Sequence, residues 1–150
     1  MNPTRRQFLT GSAIIAAGGL TTLSLPAMAS AEDVSKALAD IIGDVETQSG
    51  KLTLRTPEIA ENGNTVPVSV SVESDMTEDS YVESVIVVAD GNPNPEVISF
   101  HFTPASGKAE ASTRMRLAKT QNVTAVAKMS DGTVYIDTKN VKVTIGGCGG

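Results

Sequence analysis

The only cysteine in this chain of 150 residues is Cys148, third from the end, with Gly146 and Gly147 before it and Gly149 and Gly150 after it. A cysteine is usually explained by its reactivity rather than its packing. With no second cysteine, the thiol cannot form an intrachain disulfide. The chemistry open to it is nucleophilic attack or pairing with another molecule. The bland alternative is an incidental thiol on a loose end. Four glycines around the sole cysteine argue against that. They remove every neighbouring Cβ, so the tip is thin enough for a narrow cleft in a partner. At ~3.3–3.6 Å per extended residue, Cys148 can stand roughly 10 Å beyond Ile145.

The thiol's local sequence does not activate it. A free thiol titrates near about 8.5, and the C-terminal carboxylate close by disfavours a second negative charge. No Lys or Arg occupies the last eight residues, the nearest being Lys142. The expectation is a thiol made reactive inside its partners, which protects it from stray oxidation.

Other chemistry-bearing residues form no constellation. His101 is the single histidine, whereas a zinc site needs three or four ligands. A Cys148–His101 pair is conceivable, but nothing in the sequence brings the two together. Asp75, Glu78, Asp79 and Glu83 read as a solvated acidic loop. Gly63, Gly91 and Gly107 read as turn glycines, and no phosphate loop or dinucleotide fingerprint is present. No cofactor, metal or catalytic residue is expected. An enzyme with Cys148 as nucleophile is the weakest reading, because no base or oxyanion donor can be assigned to it.

The N-terminus reads as an export address. Arg5 and Arg6, followed by Gln7-Phe8-Leu9, match the twin-arginine pattern. A mild apolar stretch from Gly11 to Leu25 follows, and Ala27 and Ala29 frame a small-x-small cleavage site. Residues 1–29 are therefore expected to be a signal, with a cut after Ala31 as the alternative. Glycines, threonines and Pro26 break the stretch below the ~20 strongly apolar residues of a membrane span. The mature chain should be periplasmic, with no membrane attachment after cleavage. It would carry ten basic residues against seventeen acidic ones, which excludes nucleic acid as a partner. Twin-arginine export serves chains that fold before crossing. Without a cofactor motif, a second subunit carried as a passenger would account for that route.

The remaining elements must present the tip. Val34, Leu38, Ile41 and Ile42 fall on one helical face, with Ser30 or Asp33 as a cap and Gly43 or Gly50 as a stop. From Lys51 onward the pattern alternates as strands do. Such runs occur at Lys51–Arg55, Val66–Val72, Val82–Ala89, Ile98–Phe102, Ala109–Leu117 and Val123–Met129. Val134 and Ile136 then share a face before Val141, Val143 and Ile145 close the chain. Turn residues separate them, at Asn62-Gly63, Asp90-Gly91-Asn92-Pro93, Ser106-Gly107 and Ser130-Asp131-Gly132. The expected fold is all-β: an immunoglobulin-like β-sandwich of about seven strands with a short N-terminal helix. The expected domains are the sandwich over residues 30–145 and a flexible carrier arm over 146–150.

The ending Val141-Lys142-Val143-Thr144-Ile145-Gly146-Gly147-Cys148-Gly149-Gly150 resembles that of the SoxY family, sulfur-carrier subunits of a periplasmic thiosulfate-oxidising system. So does Pro57-Glu58-Ile59-Ala60-Glu61-Asn62-Gly63, leading into Val66-Pro67-Val68. The resemblance implies a carrier rather than an enzyme, with sulfur intermediates held covalently on Cys148. It implies a heterodimer with SoxZ, a second β-sandwich lacking its own signal. It also implies hand-off among a haem c-type sulfur transferase (SoxXA-like), a di-manganese hydrolase (SoxB-like) and, in some organisms, a molybdenum–haem sulfur dehydrogenase (SoxCD-like). The competing expectation is a structural or adhesive sandwich that uses Cys148 for an intermolecular disulfide.

Overall fold

The computed structural model describes residues 31–147. Arg5, Arg6, Ala27, Ala29 and Ser30 lie outside the described residues, as do Cys148, Gly149 and Gly150.

The described chain begins with helix α1, Ala31–Ile42. Gly43 ends it with a φ of 67°, and its N–H bonds Ala39 O at 2.7 Å. Only a residue tolerant of the left-handed region closes a helix this way at low cost. The apolar face expected from Val34, Leu38, Ile41 and Ile42 is half-buried. The helix lies across the outer face of the larger sheet, where Ala37 and Ile41 share a cleft with Ile86 and Val126.

Nine strands follow: β1 Thr47–Gln48, β2 Leu52–Arg55, β3 Ile59–Asn62, β4 Val66–Val72, β5 Val82–Ala89, β6 Glu96–His101, β7 Ala109–Met115, β8 Gln121–Met129 and β9 Val134–Ile145. They form the expected two-sheet, immunoglobulin-like sandwich. The smaller sheet is antiparallel, in the order β2-β4-β7. The larger runs β6-β5-β8-β9, and the outer edge of β9 is shared by β1 and β3, both parallel to it. The core between the sheets is aliphatic. On β4 the four valines at 66, 68, 70 and 72 are buried, while Pro67 is exposed and Ser69 and Ser71 are half-exposed. They meet Val85, Val87 and Ala89 of β5 and Val123, Ala125 and Ala127 of β8 in one cluster.

Two departures from the sequence expectation matter for the C-terminus. The Val134–Ile136 and Val141–Ile145 runs are one continuous strand of twelve residues. Its polar middle stays in the sheet because Thr138 pairs with Thr124 and Asn140 with Asn122, side chain to side chain, at 3.0 Å each. The second departure is the pair of short strands β1 and β3. The chain runs beside the start of β9, crosses to the smaller sheet as β2, and returns beside the end of β9 as β3. Leu54 N–H bonds the Asp137 carboxylate at 2.8 Å across that crossing. Segments of two and four residues show no useful periodicity; backbone pairing to β9 holds them.

Candidate functional site: the root of the C-terminal tip

Strand β9 delivers the chain to one end of the sandwich, among three connections: the β3–β4 turn at Gly63–Thr65, the β5–β6 loop at 90–95, and the β7–β8 loop at 116–120. The parallel register sets Asn62 opposite Ile145. A backbone relay begins there. Gly63 N–H bonds Ile145 O at 2.7 Å, Leu117 N–H bonds Gly63 O at 2.8 Å, and Gly147 N–H bonds Leu117 O at 2.9 Å. Thr120 adds a side-chain tie, since its Oγ1 accepts from Val143 N–H at 2.9 Å.

This closure leaves no room for side chains. A Cβ on Gly63 would collide with Leu117 O and lie 2.6 Å from Gly147 N. A Cβ on Gly147 would lie 2.8 Å from Gly63 O, and one on Gly146 would collide with Ala118 O. Gly63 is buried and Gly147 half-buried. Gly146 and Gly147, expected within the flexible arm, therefore have a different local role. Their missing side chains let two backbones approach closely, and Gly147 is tied by its own N–H. The pair forms a root, and the chain beyond the described residues starts from it.

The 116–120 loop is itself held from behind. Asn92 is 0% exposed and Gln121 4%. Gln121 Nε2 donates to Asn92 Oδ1 at 2.9 Å and to Lys119 O at 3.1 Å. Gln121 Oε1 accepts from Gly91 N–H at 2.6 Å. Asn92 Nδ2 donates to Arg116 O at 2.8 Å, and its Oδ1 accepts from Ala118 N–H at 3.0 Å. Every polar atom of this amide pair has a partner, which is what makes its burial tolerable. Sequence reading saw Gly63 and Asn92 only as turn residues and did not single out Gln121. A polar residue opening an otherwise apolar alternating strand was the available signal for it.

The loop also brings charge. Arg116 and Lys119 flank Leu117 and Ala118 and are exposed, so positive groups distant in sequence adjoin the root.

Other candidate residues stay apart. His101 is exposed at the end of the edge strand β6, opposite Ser84 of β5. Glu83 pairs with Lys128 at 3.9 Å on the surface, while Asp75, Glu78 and Asp79 are exposed in the β4–β5 connection. Among the described residues, no three His, Cys, Asp or Glu side chains are grouped to hold a metal ion, and no helix is long and apolar enough to cross a membrane.

Comparison with known proteins gives a family. The family model for sulfur oxidation protein SoxY matches residues 38–148. Curated protein sequences yield no match. Among solved structures, the sulfur carrier protein SoxY from Chlorobium limicola f thiosulfatophilum is 35% identical. The match has a TM-score of 0.63 and covers 77% of this chain and 100% of that one. A superoxide reductase (neelaredoxin) from Ignicoccus hospitalis aligns at 18% identity and TM-score 0.56, over 63% of this chain and 80% of its own. The superoxide reductase from Nanoarchaeum equitans aligns at 8% identity and TM-score 0.54, over 64% and 98%. These last two likenesses concern the fold alone.

Proposed function

Because the chain belongs to the SoxY family of sulfur oxidation proteins, we propose that it is an exported sulfur carrier. In this reading it holds thiosulfate-derived sulfur covalently on Cys148 and presents it to partner enzymes without catalysing a step itself. The observation that carries the reading is the reach of the family match, which runs to residue 148, the cysteine itself. The match to a solved sulfur carrier protein over its whole length adds to it.

The chemistry follows from what a thiol on such a tip can do. Oxidative coupling joins the Cys148 sulfur to the outer sulfur of thiosulfate. A disulfide-type S–S bond forms, a proton leaves the thiol, and two electrons pass to a haem c-type partner. Hydrolysis at the terminal sulfonate then consumes water, releases sulfate and a proton, and leaves a persulfide on Cys148. Where a sulfur dehydrogenase is present, it removes six electrons from the outer sulfur and adds three oxygens from water. A second hydrolysis releases sulfate and restores the thiol. The carrier supplies the leaving or attacking sulfur each time; the partners supply redox centres and metal. A SoxZ-like sandwich is the proposed stable companion. The SoxXA-, SoxB- and SoxCD-like enzymes visit in turn. The twin-arginine pattern at Arg5 and Arg6, with Ala27 and Ala29 at the cut, supports a periplasmic location.

The test is intact-mass analysis of protein isolated from thiosulfate-grown cells, beside a Cys148→Ser variant. Thiosulfonate, persulfide or sulfonate adducts on the C-terminal peptide are expected, and Cys148→Ser should abolish thiosulfate-dependent electron transfer. A thiol or a plain disulfide dimer under every condition would instead favour the adhesive sandwich.

A further inference from the structure

The root of the tip and the buried amide pair are parts of one device. We propose that Asn92 and Gln121 are positioning residues for the carrier tip, acting through the 116–120 loop to hold Gly147. They set the point from which the thiol-bearing end leaves the sandwich. The proposal rests on the carrier reading for its purpose, but its geometry stands separately.

Asn92 has no exposed surface, and its amide spans the loop: Nδ2 to Arg116 O, Oδ1 to Ala118 N–H. The residue between those two anchor points is Leu117. Both of its backbone groups are spent on the root, N–H to Gly63 O and C=O from Gly147 N–H. Gln121 closes the loop's far end by bonding Asn92 Oδ1 and Lys119 O, and it ties the assembly to Gly91 N–H. The side chain of Leu117 is itself fully buried in the core, so the loop cannot rotate about the amide anchors without leaving the core. A buried, fully bonded amide pair is costly to break because each lost partner leaves a polar group unsatisfied. The loop is consequently stiff, and Gly147 inherits that stiffness through one hydrogen bond.

The consequence for a carrier is reach and direction. With Gly147 held, the thiol begins one residue beyond a fixed point. Chain connectivity puts successive Cα atoms about 3.8 Å apart. If the root is released, Gly146 and Gly147 are no longer held. The tip then searches a larger volume, and the chance of meeting a partner's reacting atoms in the right orientation falls. The three sterically required glycines at 63, 146 and 147 serve the hold, in contrast to the freedom expected from a glycine-rich end.

The test uses the full exported chain. In the unmodified protein, native-state amide exchange should show Gly147, Leu117, Ala118 and Gly91 opening together, with shared protection and shared denaturant dependence. In Gln121→Met and Asn92→Ser, Gly147 protection should fall at least tenfold more than that of core amides such as Val87 and Ala125. Gly63→Ala should produce the same loss, and combining it with Gln121→Met should add little further. With carrier concentration counted by thiol titration, the KM of a partner enzyme for the Gln121→Met carrier should rise severalfold, with kcat within twofold. A Gly147 amide that exchanges freely in the unmodified protein, or one that follows only global unfolding in the variants, overturns the proposal. If instead Cys148→Ser retained thiosulfate oxidation, the carrier reading would fall while the exchange result stood.

Discussion

At the scale of single residues, the C-terminal glycines show how one residue type serves two ends. Flexibility is the usual argument for a Gly-Gly pair, but at Gly146 and Gly147 the stronger constraint is space. The same constraint acts at Gly63, which the sequence presented as an ordinary turn residue. Gly63→Ala places a Cβ against Leu117 O and Gly147 N, so it should cost about 2–3 kcal/mol, read as a lower urea midpoint at unchanged slope. Asp131 offers a separate check. Its carboxyl is held below the ordinary value, first by the backbone N–H of Thr133, which bonds Oδ1 at 2.9 Å, and next by the Thr133 side chain. A folded-state pKa below the unfolded one stabilises the fold in full above the unfolded value of about 3.9. That stabilisation disappears as pH falls through the lowered folded value. Denaturant titrations between pH 5 and pH 2 should show this acid-side loss in the unmodified protein. The loss should be slightly smaller in Asp131→Ala, whose stability at pH 5 should be slightly lower. A loss of equal size in the variant would count against the assignment.

At the scale of elements, the strands with clear alternation were legible because one face of each packs on a dry core. β4 is the plainest case, with Val66, Val68, Val70 and Val72 all buried. Leu54 of β2 lies in the same core at 1% exposure. Leu54→Ala should lower stability by about 2–5 kcal/mol, measured by chemical denaturation, while an exposed neighbour such as Thr53→Ala should have little effect. What alternation does not encode is pairing. The alternation seen at Val134 and Ile136 and again at Val141–Ile145 does not cover the polar centre of β9, which continues the strand with Thr138 and Asn140 partnered on β8. β1 and β3 were invisible for a related reason: their strand character resides in backbone bonds to β9 rather than in their own side chains. β3 matters most for the site, since its parallel register carries Gly63 to the end of β9.

At the scale of the whole molecule, the end of the sandwich where β9 finishes is assembled from three loops distant in sequence, and the proposed carrier role puts Cys148 chemistry apart from the valine-rich core. Cys148→Ser is therefore expected to leave the thermal unfolding midpoint within a degree or two while removing sulfur loading, with calorimetry and intact mass measured on one preparation. A shared drop in both would mean the cysteine is structural. The amino-acid order was enough to specify the single thiol, its glycine setting, the all-β class and a short helix with Gly43 or Gly50 as its stop, because each depends on local residue types and short-range periodicity; the fold then chose Gly43. The order was also enough to suggest the family, through the terminal motif. Only the folded chain showed that Gly147 N–H bonds Leu117 O, that a side chain at 63, 146 or 147 would meet neighbouring backbone, and that Asn92 and Gln121 bond the 116–120 loop. Those facts depend on contacts between residues tens of positions apart. Such contacts are set by strand register and core packing, which no local pattern records.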